Sequence, residues 1–205
     1  MGRPALPLYF LHANFAEDES KKIARVLSSK KGFTSPLFHV VTEQVREPGG
    51  YVARRDIVHH PGSVVILAID ETKAEKKAGP RILLERQYRH AARSFLWELP
   101  AGKVDRGESA LKAAKRELLE ETGYTARKWR RILNFFVSPG FLDETMTIFL
   151  AQNIRPGVAQ PEYDELIESR FVPLRTAQSM AERGAIRDAK TIAGIFWLAL
   201  RRKHD

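Results

Sequence analysis

Three glutamates stand close together in the segment RELLEETG, which spans residues 116–123. Glu117, Glu120 and Glu121 follow one another at helical spacings, so a helix would place them on one face. Like charges at this spacing repel one another, and carboxylates near the C-terminal end of a helix oppose its dipole. Such contradictions of good helix design tend to mark functional sites. A hard divalent cation such as Mg²⁺, which binds carboxylate and phosphate oxygens, would turn the repulsion into attraction.

The same glutamates have a simpler interpretation as solvated surface residues. Lys112, Lys115 and Arg116 lie within about one turn of them and would pair with their carboxylates. For an isolated acidic cluster the surface interpretation is the default, so the surrounding residues have to decide between the two.

The surroundings extend the pattern from Gly102 to Tyr124, which reads GKVDRGESALKAAKRELLEETGY. A set of residue types at fixed spacing over this length is far more specific than a short glycine motif. The segment resembles the signature box of the Nudix hydrolases and matches it at every defined position: Gly102, Glu108, Arg116, Glu117, Leu118, Glu120, Glu121, Gly123 and the apolar Tyr124. The resemblance implies an α/β/α sandwich around a mixed β-sheet. It also implies hydrolysis of a nucleoside diphosphate linked to another group, with Mg²⁺ or Mn²⁺ as cofactor.

The resemblance suggests roles for individual residues. The expected metal ligands are Glu117, Glu121, Glu120 and the main-chain carbonyl of Ala101. Gly102 would let the loop backbone come close to them. Arg116 and Glu108 are interpreted mainly as support that holds the loop against the helix. Arg116 and Glu120 are also retained as catalytic candidates.

Residues outside the box narrow the resemblance to ADP-ribose pyrophosphatases. Pro139, sixteen residues after Gly123 in SPGFLDE, stands where that subgroup has a proline, although Pro139 and Gly140 alone would indicate only a turn. The segments ERQYR and GAIRDAKTIAGIFWL are also similar to the subgroup, and the similarity runs from about residue 38 to the C-terminus. The implied substrate-binding residues are Arg89 for phosphate, then Arg54, Glu98, Pro139, Gly140 and Glu144. Phe38 and Tyr51 are candidates for stacking or for core packing.

The base that activates water is expected outside the box, because the box glutamates are engaged with metal. In ADP-ribose pyrophosphatases it comes from an acidic loop between the last two strands. The corresponding segment is QPEYDELIES, residues 160–169, which carries Glu162, Asp164, Glu165 and Glu168. Glu165 is the first choice and Glu162 the second. An ordinary solvated acidic loop is the alternative.

The remaining sequence supports a mixed α/β fold. Segments rich in β-formers over 38–45 and 51–60, separated by REPGG, predict a strand pair, and SVVILAID over 63–70 predicts a buried strand. Further strands are predicted over 81–89, 95–100, 131–138, 144–153 and 169–174, with two helices closing the chain. Without regular βαβ alternation, this order favours a mixed sheet with helices on its faces. In the box helix, Leu111, Ala114 and Leu118 form the expected core face. Gly123 is expected to end the helix as a C-terminal cap in the left-handed backbone conformation.

The length of 205 residues indicates one domain with an added element. We expect an N-terminal extension over residues 1–36 with a short amphipathic helix within 16–32. Residues 37–60 would form the strand pair and 61–205 the catalytic domain. In the subgroup the first strands commonly cross to a partner subunit, so a homodimer is expected. The chain has no cysteine, which excludes disulfides and thiolate chemistry and fits a cytoplasmic location. No apolar run approaches the length of a membrane span.

The formal net charge of +9 raises nucleic acid as a partner. The basic residues come in short, scattered groups without interleaved aromatics, so a solvated basic surface is favoured over an RNA-processing enzyme. Two further functions stay open. One is that of a pyrophosphatase for another sugar nucleotide such as GDP-mannose. The second is that of a non-catalytic module that senses ADP-ribose, which the complete box disfavours.

Overall fold

The computed structural model describes residues 23–75, 79–159 and 167–201. Within these ranges the chain forms ten strands, three α-helices and a short 3₁₀ helix at His90–Ala92, arranged as a small sheet and a larger sheet that is covered by α-helices on both faces. No helix in this part of the chain is long and apolar enough to span a membrane.

The small sheet is antiparallel and consists of β1 (Arg25–Thr34), β2 (His39–Arg46) and β3 (Val52–His59). The predicted strand pair is confirmed as β2 and β3, which are joined by the expected turn. The predicted helix within 16–32 is wrong in its described part, because residues 25–34 form β1 and pair with β2. Ile23, Val26 and Leu27 all remain exposed, so their helical spacing buries no surface. Pairing with the open edge of β2 decides the conformation instead.

The larger sheet has the strand order β10-β5-β4-β9-β8, with β6 paired to β5 and β7 paired to β4. Only the β4–β9 pairing is parallel in the described ladders, so the sheet is mixed, as predicted. The predicted strands are confirmed, while the short β7 was not anticipated. The bounds are β4 Ser63–Glu75, β5 Gly79–Arg89, β6 Ser94–Glu98, β7 Ala101–Lys103, β8 Tyr124–Phe136, β9 Thr145–Pro156 and β10 Glu168–Pro173.

Three helices complete the sandwich: α1 (Ala110–Thr122), α2 (Leu174–Glu182) and α3 (Ala189–Arg201). The central strand β4 is fully buried from residue 64 to residue 68, as its continuous apolar run predicts. Alternate side chains serve the two faces. Val65 and Leu67 pack in the cluster that contains Ile195 of α3, while Val64 and Ile66 pack in the cluster that contains Leu118 of α1. The chain is therefore an α/β/α sandwich.

The helix α1 ends as predicted and packs slightly differently. Gly123 has φ 71° and donates its N–H to Leu119, which is the expected left-handed cap. Ala113, Ala114 and Leu118 face the core, but Leu111 is 38% exposed. The inner face is therefore rotated from Leu111 towards Ala113, and this rotation brings Glu117 and Glu121 to the border between helix and sheet.

Candidate active site

The two box glutamates at the border of α1 are largely buried. Glu117 is 9% and Glu121 8% exposed, whereas the side chain of Glu120 is 40% exposed. All three line a cleft of about 330 Å³ together with Arg89 and the backbone of β7. Burying carboxylates is costly unless they are paired or coordinate a cation, so this placement requires partners.

The backbone of β7 approaches the glutamates closely. The N–H of Ala101 donates to Glu121 Oε2 at 3.1 Å. A Cβ atom at Gly102 would lie 2.0 Å from both Cδ and Oε1 of Glu117. Only glycine lets β7 pair with β4 at this point while the Glu117 carboxylate keeps its position.

We therefore expect Gly102→Ala to displace the Glu117 carboxylate and to lower kcat by about 10²-fold, the usual order for a misplacement near 1 Å. The measurement is steady-state turnover, with a thermal melt to show that the variant is folded. Gly49→Ala is the matched control, because a Cβ there meets only the Tyr51 ring at 3.4 Å. Normal turnover by Gly102→Ala would show that the tight approach has no catalytic role.

Arg116 holds the box together. Its guanidinium donates to Glu117 Oε1 at 2.7 Å, to Glu120 Oε2 at 3.0 Å, to Glu108 Oε2 at 3.0 Å and to the carbonyl of Lys103 at 3.2 Å. The hydrogen bonds to Glu108 are the main reason that the pKa of Arg116 is raised, and the same bonds lower the pKa of Glu108. Arg116 is thus a permanently charged clamp between loop and helix, which fits the supporting role better than proton transfer.

The donor set fits a hard cation that retains water and phosphate ligands. Within the described ranges, no three acidic or histidine side chains are gathered closely enough to hold a metal ion alone. Two buried carboxylates beside the Ala101–Gly102 backbone instead match Mg²⁺, which usually takes one or two carboxylates and fills its octahedron with water and substrate oxygens.

Arg89 connects this cleft with a neighbouring one of about 340 Å³. Its Nε and Nη2 donate to Glu98 Oε1 and Oε2 at 2.9 and 3.0 Å, and Lys190 Nζ also contacts Glu98 Oε2. Burial alone would raise the pKa of Glu98, but Arg89 and Lys190 outweigh it and lower that pKa. Both oxygens of Glu98 are occupied, so its geometry favours support of Arg89 over direct contact with a substrate.

The loop that carries Pro139 docks on the small sheet and reaches the same cleft. The N–H of Val58 donates to the carbonyl of Phe141, and the N–H of Asp143 donates to the carbonyl of Val58. Glu144 accepts from Ser63 Oγ at 2.6 Å, and Ser63 lines the cleft with Arg89. Pro139 and Gly140 lie exposed at the tip of this loop.

Several predicted residues are not brought to this cleft in the described chain. Arg54 lies on β3 and pairs with Asp56 at 3.0 Å, and Tyr51 is exposed in the turn before β3. Phe38 lines a separate cleft of about 550 Å³, which shares Leu37 and Lys103 with the catalytic one. Glu168 begins β10 opposite Arg86. Glu162, Asp164 and Glu165 lie outside the described residues.

Sequence reasoning missed several residues that line the cleft of about 340 Å³, namely His60, Ser63, Asp188 and Lys190, and also Thr191, which supports it from behind by accepting the N–H of Leu99. One signal was available in the segment DAKTIAGIFWLAL. Lys190 lies inside the capping segment Asp188-Ala-Lys-Thr191, in the first turn of a nearly apolar helix, and a lysine at such a place is expected to be buried and paired.

Comparison with known proteins identifies the family. Residues 59–195 match the NUDIX domain. The chain is 36% identical over 180 residues to an ADP-ribose pyrophosphatase of Bacillus subtilis (strain 168), with 86% of this chain and 93% of that protein covered. It is also 36% identical over 173 residues to an ADP-ribose pyrophosphatase of Mycobacterium tuberculosis (strain ATCC 25618 / H37Rv), covering 82% of this chain and 80% of that protein. The crystal structure of an ADP compounds hydrolase shares the fold with a TM-score of 0.72 at 23% identity, covering 88% of this chain and 95% of that one. This chain belongs to the Nudix hydrolase family.

Proposed function

We propose that this enzyme hydrolyses the diphosphate bond of ADP-ribose to AMP and ribose 5-phosphate, with Mg²⁺ or Mn²⁺ as cofactor. The observation that carries the proposal is the convergence of Glu117, Glu121 and the Gly102 backbone in one cleft beside Arg89. The similarity to two ADP-ribose pyrophosphatases over most of the chain supports the choice of substrate.

The residues of the cleft have complementary tasks in this reaction. Arg89 uses two of its five N–H donors on Glu98 and can direct the others at the diphosphate. Glu117, Glu121 and the backbone of Ala101 would hold the cation, with Glu120 more exposed at the rim. When bound, the cation supplies counter-charge and polarises the scissile phosphate. Water attacks phosphorus, the P–O bond to the bridging oxygen breaks, and a carboxylate accepts the proton of the water.

A homodimer would complete the substrate site. The small sheet exposes the apolar side chains of Val26, Leu27 and Phe33. Arg54, Phe38 and Tyr51 lie on this sheet or next to it, and within one protomer they do not line the cleft of the box glutamates. We propose that these surfaces meet a second copy, and that the enzyme acts in the cytoplasm on a small nucleotide rather than on nucleic acid or membrane. Light scattering on the purified chain tests the dimer, and a monomer mass at micromolar concentration would contradict it.

Product analysis tests the activity. The purified chain is incubated with ADP-ribose, GDP-mannose, NADH or diadenosine polyphosphates in the presence of Mg²⁺ or Mn²⁺, and the products are separated by chromatography. We expect AMP and ribose 5-phosphate from ADP-ribose, no turnover in EDTA, and recovery on adding metal. Rapid turnover of a sugar nucleotide with ADP-ribose untouched would contradict the substrate assignment.

Arg89→Ala is expected to raise KM for ADP-ribose by about tenfold or more and to lower kcat much less, because a ground-state phosphate contact is lost. The measurement is a full substrate titration at saturating metal. Arg86→Ala, on the same strand and 45% exposed by side chain, is the control. An unchanged KM would show that Arg89 does not bind the diphosphate.

A further inference from the structure

The first turn of α3 reaches the cleft of about 340 Å³ that adjoins the cleft of the box glutamates and shares Arg89 with it. Asp188 and Lys190 line this adjoining cleft together with Arg89 and Glu98. Lys190 is only 7% exposed, and lysine is almost never fully buried unless it is paired. Lys190 is not part of the Nudix box, so its burial beside the cleft requires a separate explanation.

Lys190 belongs to a chain of alternating charges. Its Nζ contacts Glu98 Oε2 and lies 2.9 Å from Asp188 Oδ1. Glu98, which is 3% exposed, binds Arg89 through both oxygens. The contacts therefore run from Arg89 to Glu98, Lys190 and Asp188, with each charge opposite in sign to the next.

This order determines how much positive charge Arg89 presents. A carboxylate that binds an arginine through both oxygens largely cancels its attraction for another anion. Because Lys190 shares that carboxylate, Arg89, Glu98 and Lys190 together retain one positive charge. Asp188 pairs with Lys190 through Oδ1, but its Oδ2 accepts the N–H of Thr191 at 3.0 Å at the positive end of α3, so the helix dipole offsets part of its negative charge.

The same turn also fixes the backbone next to the metal-binding residues. Thr191 Oγ1 accepts the N–H of Leu99 at 2.8 Å and donates to Asp188. Leu99 stands two residues before Ala101, whose N–H binds Glu121. The position of Lys190 is therefore set by a hydrogen-bonded turn that is tied to the cleft, and Lys190 has little freedom to leave Glu98.

We infer that Lys190 is a positioning residue whose charge offsets Glu98, so that Arg89 stays available to the diphosphate of the substrate. The inference rests on the proposed function, in which Arg89 binds that diphosphate. Lys190 acts through Glu98 and does not itself need to touch the substrate.

The first test removes the charge and keeps the length of the side chain. Lys190→Met should raise KM for ADP-ribose about 10- to 30-fold while kcat stays within about threefold, because ground-state phosphate binding is weakened. In an Arg89→Ala background the same substitution should change KM by less than about twofold, because the residue through which it acts is missing. Additive losses in the double variant would overturn the inference.

The second test restores the charge balance. In Glu98→Gln/Lys190→Met the neutralising carboxylate is gone as well, so KM should return to within about fivefold of wild type. A merely structural role of Lys190 predicts no such rescue. If Lys190→Met alone does not fold, this double variant decides the matter. A buried ion pair is better tolerated when both partners are replaced than when one is, and a KM raised tenfold or more would then refute the inference.

Controls separate this inference from the proposed function. Arg81→Met removes a cation at the far end of β5, where it donates to the carbonyl of Phe171, and should leave KM unchanged. If wild type leaves ADP-ribose intact, the proposed substrate fails, and the variants are compared on the nucleoside diphosphate derivative that is hydrolysed. Calorimetry with ADP needs no turnover: Kd should weaken in Lys190→Met and recover in the double variant. Equal Kd values, or no binding of ADP by wild type, would overturn the inference.

Discussion

Glu117→Gln and Glu121→Gln are each expected to lower kcat by about 10²-fold or more with the fold intact, because each weakens the group of oxygens that we propose as the site of the catalytic cation. Both carboxylates are largely buried on one face of α1 and border the same cleft. Glutamine keeps the size of the side chain and can still accept a hydrogen bond from Arg116 or from the N–H of Ala101. The change therefore removes one negative charge without opening a cavity.

The losses of kcat caused by the three glutamine substitutions in α1 can be compared with one another. Glu120 is more exposed and shares Arg116 with Glu117, so Glu120→Gln should lower kcat less than either neighbour. Glu182→Gln, at the exposed end of α2, is the control for an isosteric change on a helix. Turnover is measured over a range of Mg²⁺ concentrations, and a weakened site should require more metal for half-maximal rate. Near-normal kcat at every metal concentration would remove the residue from the proposed ligand set.

The sequence was most informative where one physical requirement acts on neighbouring residues. The box glutamates, Gly102 and Arg116 lie in one segment; the spacing of the glutamates predicts a helix, and the resemblance to the Nudix box implies a backbone held close to it at Gly102. The apolar run over 63–70 likewise predicts a strand covered on both faces, and β4 is such a strand. In both cases the local sequence pattern and the tertiary structure favour the same conformation of the segment.

The sequence was least informative where the partner is distant in the chain. The helical spacing of Ile23, Val26 and Leu27 was overridden by pairing with β2, which local propensity does not contain. Leu111 looked like a core residue until the rotation of α1 against the sheet was known. The pairing of Glu98 with Lys190 spans 92 residues, so only the fold could bring these two together. Long-range ion pairs of this kind leave little local signal beyond an oddly placed charge.

We propose that the proton acceptor for the attacking water lies outside the described cleft. Glu117 is bound by Arg116, Glu121 by the N–H of Ala101, Glu98 by Arg89 and Lys190, and Glu144 by Ser63. Each of these carboxylates already accepts a hydrogen bond or an ion pair, and despite its burial Glu98 has its pKa held below the usual value by Arg89 and Lys190. The chain supplies three further carboxylates between β9 and β10, namely Glu162, Asp164 and Glu165, and a fourth, Glu168, at the start of β10. The described residues on the near side of that segment run along the C-terminal end of α1. The backbone of Ala159 packs directly against Gly123 at the end of α1, since a Cβ atom added to Gly123 would lie only 2.6 Å from the nitrogen of Ala159.

Glu165→Gln is therefore expected to leave KM within a few-fold and to lower kcat by ~10²–10⁴, the usual span for loss of a general base. Glu162→Gln and Asp164→Asn are the matched variants, since each removes one charge from the same segment, and Glu168→Gln at the start of β10 serves as the outer control. The pH profile gives a second criterion: kcat of wild type should fall at low pH as the base becomes protonated, and the variant that lacks the base should lose this dependence. A large loss of kcat in Glu162→Gln or Asp164→Asn but not in Glu165→Gln would move the base to that residue. Small effects in all four variants would mean that no single carboxylate of this segment takes the proton.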